Sequence, residues 1–494
     1  MKQAKHGRRN FLQGIAAAGA TALAATGAGI SAAQATEEHG EGGTGVAAGQ
    51  SRKLAEYGSS LRYEDIPADV LQRAKDTITD TVGVIMYGGE LPWSKMIAAY
   101  ARHNGPGGKS RILGTRDRVH APAAALANGA FAHAFELDNL TKPNSGSHPG
   151  ATMLSSSLAM AQERGIGGRE LITAFVAGAE VMIRVGLSTK HSQEEHGFHA
   201  PGTTGPFGAS VATGRLIGLD ADKMQNAIGI AASTTSGLLQ FAKSGTGAMV
   251  KRLHLGRSAE SGVLAASLAE QGFTGPVDSI EGEFGFLRVL CRDYDMNILT
   301  RGLGTEWAAR TILMKRYACH ITAHTPVEST LALKAEHKFS GEEVAFIEIQ
   351  GTERAVKVNN IAQPKDILLA QYSIPFCVSL ALFRNPVDPR SFEESALKDE
   401  RIMSLAKTVK MSPLPPPDNR SDMTSLVTIT LKDGRSFSKR TSYFTGTPES
   451  PMHPAELREK FTMLTQRYNG KAMTRMFDRL QNLESEKSLD WIGA

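Results

Sequence analysis

Residues 70–86 read VLQRAKDTITDTVGVIM, with Val70, Leu71, Ala74, Ile78, Val82, Ile85 and Met86 recurring at three- and four-residue spacing. That is the period of a helix with one buried face. The same period returns over 121–137, 151–163, 169–185, 221–238 and 258–270, punctuated by Gly150, Gly168 and Gly218. No strand–helix–strand alternation lies between 68 and 272, which disfavours a nucleotide-binding sheet. After about 311 the texture changes. VAFIEI (344–349) and LVTITL (426–431) alternate as strands do, and Lys432-Asp433-Gly434 supplies a turn before Ser436. Prolines interrupt 413–417, and helical periodicity resumes over 454–468. The sequence therefore predicts a mainly α chain. A large all-helical domain spans 52–310, a smaller α+β lid domain spans 311–447, and 448–494 return to the helical domain.

The 494 residues are enough for two or three domains and a large core. Aromatics supply only 6 % of the chain, while glycines number 50, so the helices are expected to pack closely through small side chains. The three cysteines, Cys291, Cys319 and Cys377, contain no C-x-x-C pair. They are too few for an all-thiolate cluster and argue against a disulfide framework, leaving room for one bridge.

The N-terminus places Arg8-Arg9-Asn10-Phe11-Leu12 before a weakly apolar Ala/Gly-rich stretch that closes on Ala33-Gln34-Ala35. This is the pattern of a twin-arginine signal peptide over 1–35 with a small-x-small cleavage site. A Gly-rich linker follows over 36–51. The pattern predicts a protein carried already folded by the twin-arginine translocase to a periplasmic or secreted location. Ala and Gly supply too little apolar area for stable membrane insertion. Of the formal charge of +5, four positive charges (Lys2, Lys5, Arg8 and Arg9) lie in this segment, so +1 remains after it. No basic stripe interleaves with aromatics, which excludes nucleic acid as a partner. Gly40, Gly42 and Gly45 match a dinucleotide fingerprint by spacing, but no strand precedes them and no helix follows.

The chemistry-bearing residues gather at a few places. His133 and His148 flank the acidic turn Glu136-Leu137-Asp138-Asn139; His191, His196 and His199 precede Gly202-Thr203-Thr204-Gly205. Lys251 and His254 share MVKRLH, and Lys315, His320 and His324 share MKRYACHITAH. Lysines and arginines neutralise carboxylates, and histidine moves protons near neutral pH, so this set suits a multiply charged carboxylate. There is no H-E-x-x-H and no G-x-S-x-G. No metal and no cofactor is expected.

Several long runs carry a resemblance: ALANGAFAHAFELDN with SHPG, GFHAPGTTGPFGAS, KRLHLGRSAESGVLAASLAEQGFTGP with EGEFGF, MKRYACHITAH, QYSIPFCVSLAL and FTGTPESPMHPAELREKF. Over roughly residues 52 to 470 the chain resembles the MmgE/PrpD family, which includes 2-methylcitrate dehydratase, cis-aconitate decarboxylase and an iminodisuccinate epimerase. The resemblance implies a helical domain plus an α+β lid, a homodimer, and a metal-free site between the domains. It puts the family's acidic turn on Asp138, its HP histidine on His148, its G-F-H histidine on His199 and its K-x-L-H-x-G lysine on Lys251, with His254 in the same motif. The lid-side motif falls on Lys315, Arg316 and His320. Where the family often shows D-D-T, this chain has Asp138-Asn139-Leu140-Thr141 and a longer loop over 142–147, with Thr141 standing for the family threonine. The implied roles are proton transfer by His148, His199 and His320, histidine orientation by Asp138, and charge stabilisation by Lys251. Lys315, Arg316, Thr141 and His254 would bind substrate. The implied function is a metal-independent lyase or isomerase acting on a small di- or tricarboxylate. The other class in play is a periplasmic carboxylate-binding protein that keeps the pocket without catalysis.

Overall fold

The computed structural model describes residues 49–242, 249–416 and 423–493. The segment expected to be an export signal and most of the expected linker lie outside the described residues, and the first described helix opens at Gln50. The chain is mainly α, with a smaller α+β part, as the periodicity predicts.

Four helices form the centre: Ala121–Ala132, Gly168–Ser188, Ala200–Leu216 and Val250–Glu270. Their closeness depends on glycine. A Cβ on Gly178 would lie 2.6 Å from the Gly208 carbonyl oxygen, and one on Gly208 would lie 2.5 Å from that of Gly178. Any side chain there would push the two backbones apart. Gly168–Ser188 is long and apolar enough to cross a bilayer, yet nearly all of it is buried, as befits a core helix.

The lid carries a four-stranded sheet ordered Lys410–Pro413, Val344–Gly351, Ser425–Leu431, Ser436–Thr441. The first pair is parallel and the others antiparallel. Ile347, Ile349, Val427 and Ile429 alternate onto the buried face and join a second apolar cluster with helices His324–His337 and Ile374–Phe383. Val84, Tyr87, Phe135, Leu137 and Leu464 reach into this cluster from the helical part, so the two cores share an apolar seam. The returning helix Pro454–Leu464 packs on Ala68–Gly88. The three cysteines are buried free thiols.

Three local differences from the periodic reading have clear causes. The helix expected over 121–137 stops at Ala132. Beyond it, side chains from other elements take the backbone carbonyls: Arg252 that of Ala134, Gln371 that of Phe135 and Lys460 that of Leu137. The helix expected over 221–238 stops at Ala232, where the Thr234 and Thr235 hydroxyls bond back to the carbonyls of Ala231 and Ala232. Conversely, Gly202-Thr203-Thr204-Gly205, which reads as a Gly-rich break, lies inside the helix Ala200–Leu216. Pro206 cannot bond the Gly202 carbonyl, but the Ser258 hydroxyl does so at 3.2 Å.

Candidate functional site

The unwound turn after Ala132 is the base of the site. Glu136 adopts a left-handed backbone, φ 57°, a conformation costing an ordinary residue about 1–3 kcal/mol that persists only where surroundings impose it. The surroundings here are electrostatic. The Glu136 carboxylate pairs with the Lys251 ammonium and lies 3.2 Å from that of Lys315. All three residues are buried. Lys251 sits in the first turn of Val250–Glu270, while Lys315 follows the short strand Ile312–Leu313 on the lid side. Burial, with Lys315 and Arg252 nearby, presses Lys251 well below the ordinary lysine range. The Glu136 carboxylate is the opposing charge that favours its ammonium form.

Two residues on, Asp138 is fully buried. Its Oδ2 lies 2.8 Å from His133 Nδ1 and 2.7 Å from His148 Nδ1, accepting from both rings. Among the described residues its Oδ1 has no hydrogen-bond partner. Burial would raise this carboxyl, but the two histidines more than offset that and hold it well below the carboxylate range. Burial lowers His133 to about 3, so this ring stays neutral. His148 is the partly exposed member, at 13 % of its side chain. Behind it the chain enters a π-helical turn, Gly150–Leu154, a distortion frequent at functional sites. Asn139 braces the turn, bonding the Thr81 hydroxyl at 2.9 Å and accepting from the Gly150 N–H at 2.7 Å. The Asp-Asn pairing thus serves the scaffold.

His199 caps the Ala200–Leu216 helix, its ring centroid 5.8 Å from that of His133. Its Nδ1 lies 3.0 Å from His254 Nδ1, so the two rings share one proton. Burial lowers His199 well below its usual range and His254 to about 4. On the lid side, the His320 ring lies 4.6 Å from that of Tyr372, tilted 38° to it, and the Lys251 ammonium lies 5.4 Å from the tyrosine ring. Burial, then Lys315 and Lys251, hold His320 well below its usual range. Gln371 locks the two sides, donating to the Phe135 and Ala318 carbonyls at 2.9 Å each.

The structure thus brings Asp138, His148, His199, Lys251, Lys315 and His320 into one buried region, with His254 behind His199 as its partner. Two expected substrate-binding residues are engaged elsewhere. Arg316 reaches outward to Glu456 at 2.6 Å and Glu459 at 3.6 Å. Thr141 is spent inside its own loop, 2.6 Å from the Ser145 hydroxyl. Three participants go beyond the roles expected from the sequence: Glu136 and His133, which the acidic-turn pattern named without a role, and Tyr372, which it did not name. The E-x-D spacing of the turn was a signal for Glu136. The QYSIPF run contained Tyr372, but nothing local marks its ring as facing two basic residues.

The ligand atoms of His133, Asp138 and His148 lie within 4.8 Å of one another, a spacing that suits a metal ion as well as a hydrogen-bonded relay. In the relay, one carboxylate oxygen holds both imidazoles in a fixed tautomer. Two other closely spaced histidine pairs do not converge as ligands: His196 is exposed while His199 is buried, and His324 bonds the backbone oxygen of His320.

Comparison with known proteins agrees along most of the chain. Residues 52–299 match the MmgE/PrpD N-terminal domain and residues 317–483 the MmgE/PrpD C-terminal domain. The chain is 31 % identical over 308 residues to cis-aconitate decarboxylase of Aspergillus terreus, covering 58 % of this chain and 61 % of that protein. Human cis-aconitate decarboxylase is 26 % identical over 418 residues, covering 81 % and 84 %. The mouse protein of that name is 24 % identical over 444 residues, covering 86 % and 89 %. A helical part, a lid-side sheet and a shared acid–lysine–histidine cluster thus fall on two consecutive family domains, and the chain belongs to the MmgE/PrpD family.

Proposed function

We propose that this protein is a lyase acting on a small tricarboxylate, releasing carbon dioxide or water by proton transfer beside a carboxylate. The observation that carries this reading is Glu136 held between Lys251 and Lys315, directly before the His133–Asp138–His148 relay. Proton transfer next to a carboxylate builds negative charge, and two buried ammonium groups stabilise it as it develops. A substrate carboxylate competes with Glu136 for those ammoniums. His148, the relay member with an exposed edge, exchanges the proton, and Asp138 fixes its tautomer and orientation. The cis-aconitate decarboxylases among the relatives support a decarboxylation or dehydration over an epimerisation.

We propose that the reaction needs no metal. Two lysines supply the neutralising charge a divalent ion would bring, and both relay histidines are committed to one carboxylate oxygen. The Arg8-Arg9 segment supports export before action, and the family supports a homodimer, which sedimentation checks. Replacing both arginines by lysine is expected to leave precursor in the cytoplasm.

The test is incubation of the purified chain with cis-aconitate, citrate and methylcitrate in deuterated water, followed by proton NMR. The expected outcome is loss of carbon dioxide with one solvent deuterium at the carbon that lost it, or loss of water with solvent deuterium exchanged into the remaining substrate. Saturable binding with neither turnover nor exchange would return the chain to a carboxylate-binding role.

A further inference from the structure

A cleft of about 300 Å³ opens beside His320, and the cluster described above does not account for it. Its wall carries Lys190, His191, His320 and Arg354, and none of its lining residues is an aspartate or glutamate. Two acids stand at its edge: Asp293, 3.1 Å from the Lys190 ammonium, and Glu194, 3.5 Å from the Arg354 guanidinium and 3.8 Å from His191 Nδ1. The Glu194 carboxylate thus faces both His191 and Arg354. Burial lowers His191, but Glu194 more than offsets it and the net shift is upward, toward the charged ring. Arg354 stands on the lid with 66 % of its side chain exposed. Its planar fork has donors to spare beyond one contact at 3.5 Å.

The opposite rim is held in an unusual backbone. Lys190 and His191 are consecutive non-glycine residues at φ 48° and 63°. Each costs on the order of 1–3 kcal/mol, a strain that clusters at ligand-binding positions. His191 is secured there by its ring bonding the Asn144 carbonyl oxygen. The rim therefore sets His191 of the helical part opposite an arginine from the lid, while Lys190 beside it is paired with Asp293.

We infer that this cleft is a distal carboxylate subsite. Arg354 receives the far carboxylate of a chain whose reacting end lies at Lys251 and Lys315, with His320 between, so the site selects tricarboxylates over dicarboxylates. This rests on the proposed lyase reading and adds the specificity determinant. Arg354 belongs to the lid and the lysine of the first ion pair to the helical part, so a substrate with enough carboxylates bridges the two.

The test is calorimetry on the full chain with tricarballylate, an unreactive tricarboxylate, and glutarate, a dicarboxylate, for the native protein, Arg354→Gln and Arg354→Lys. Arg354 is solvent-exposed, and circular dichroism checks that the variants fold. Native protein is expected to prefer tricarballylate. Arg354→Gln should weaken tricarballylate by roughly ten- to a hundred-fold, the loss of one charge-assisted contact, with glutarate unchanged and Arg354→Lys intermediate. Turnover of a tricarboxylate should show the loss in KM rather than kcat. Unchanged tricarballylate affinity in Arg354→Gln, or an equal loss for both acids, overturns the subsite while leaving native turnover, and so the lyase reading, standing. Native protein that binds neither acid and turns over no carboxylate overturns both.

Discussion

Glu136 is one carboxylate facing two buried ammonium groups, so its removal is the most costly single change at the site. Glu136→Gln leaves Lys251 and Lys315 buried without their counter-charge, which typically costs about 3–5 kcal/mol. The expected outcome is a clear fall in melting temperature with loss of turnover. Adding Lys251→Met should restore part of the stability but none of the activity. Additive losses in that double variant would show that the two residues are not coupled. Asp138→Asn tests the relay separately. The amide keeps the volume but carries no negative charge to orient His148 and stabilise it when it takes up a proton, so turnover is expected to drop by roughly a hundred- to ten-thousand-fold. Circular dichroism should show the same helical content, and turnover within a factor of a few of native would exclude Asp138 as a positioning residue.

Among elements, the helix Ala200–Leu216 most repays attention, because it carries His199 at its cap while pressing Gly208 against Gly178. A methyl on Gly208 would meet the Gly178 carbonyl at 2.5 Å, and overpacking of that kind costs about 1–3 kcal/mol. Gly208→Ala should therefore lower the midpoint of urea unfolding, whereas Gly218→Ala, in open space at a left-handed turn, should be strained by its backbone alone. Helix periodicity made most elements readable, including 70–86 and 169–185, and alternation with a D-G turn made the lid strands readable. The Ala200–Leu216 helix was hidden because Gly, Thr and Pro are poor helix formers. Its helical state is imposed by close packing and by the Ser258 hydroxyl on the carbonyl Pro206 cannot bond.

For the whole molecule, the buried neutral histidines set a pH dependence. His133 and His254 titrate near 3 and 4 when folded and near 6.5 when unfolded. Between those values the unfolded chain binds more protons than the folded one, so stability falls as pH drops below about 6.5. A series of melts from pH 7.5 to 4.5 is expected to show this decline, and His254→Gln should flatten it; an unchanged slope in that variant would assign the decline to other groups. The same protein treated with a strong chelator and then assayed in metal-free buffer is expected to keep its turnover. Activity that vanishes and returns only with added divalent metal would reassign His133, Asp138 and His148 as ligands.

The sequence alone determined the class of the fold and most of the chemistry on offer, because helix and strand periods are local properties and because Asp138, His148, His199, Lys251, Lys315 and His320 lie in runs that can be read one at a time. Which of these residues act together was decided only in three dimensions. Glu136 became the counter-charge of two lysines separated from it by 115 and 179 positions. His254 turned toward His199, and Arg316 and Thr141 were drawn to other partners. The physical reason is the unwound turn after Ala132: its carbonyls are claimed by Arg252, Gln371 and Lys460 from three distant segments, and no local pattern encodes a conformation held from outside.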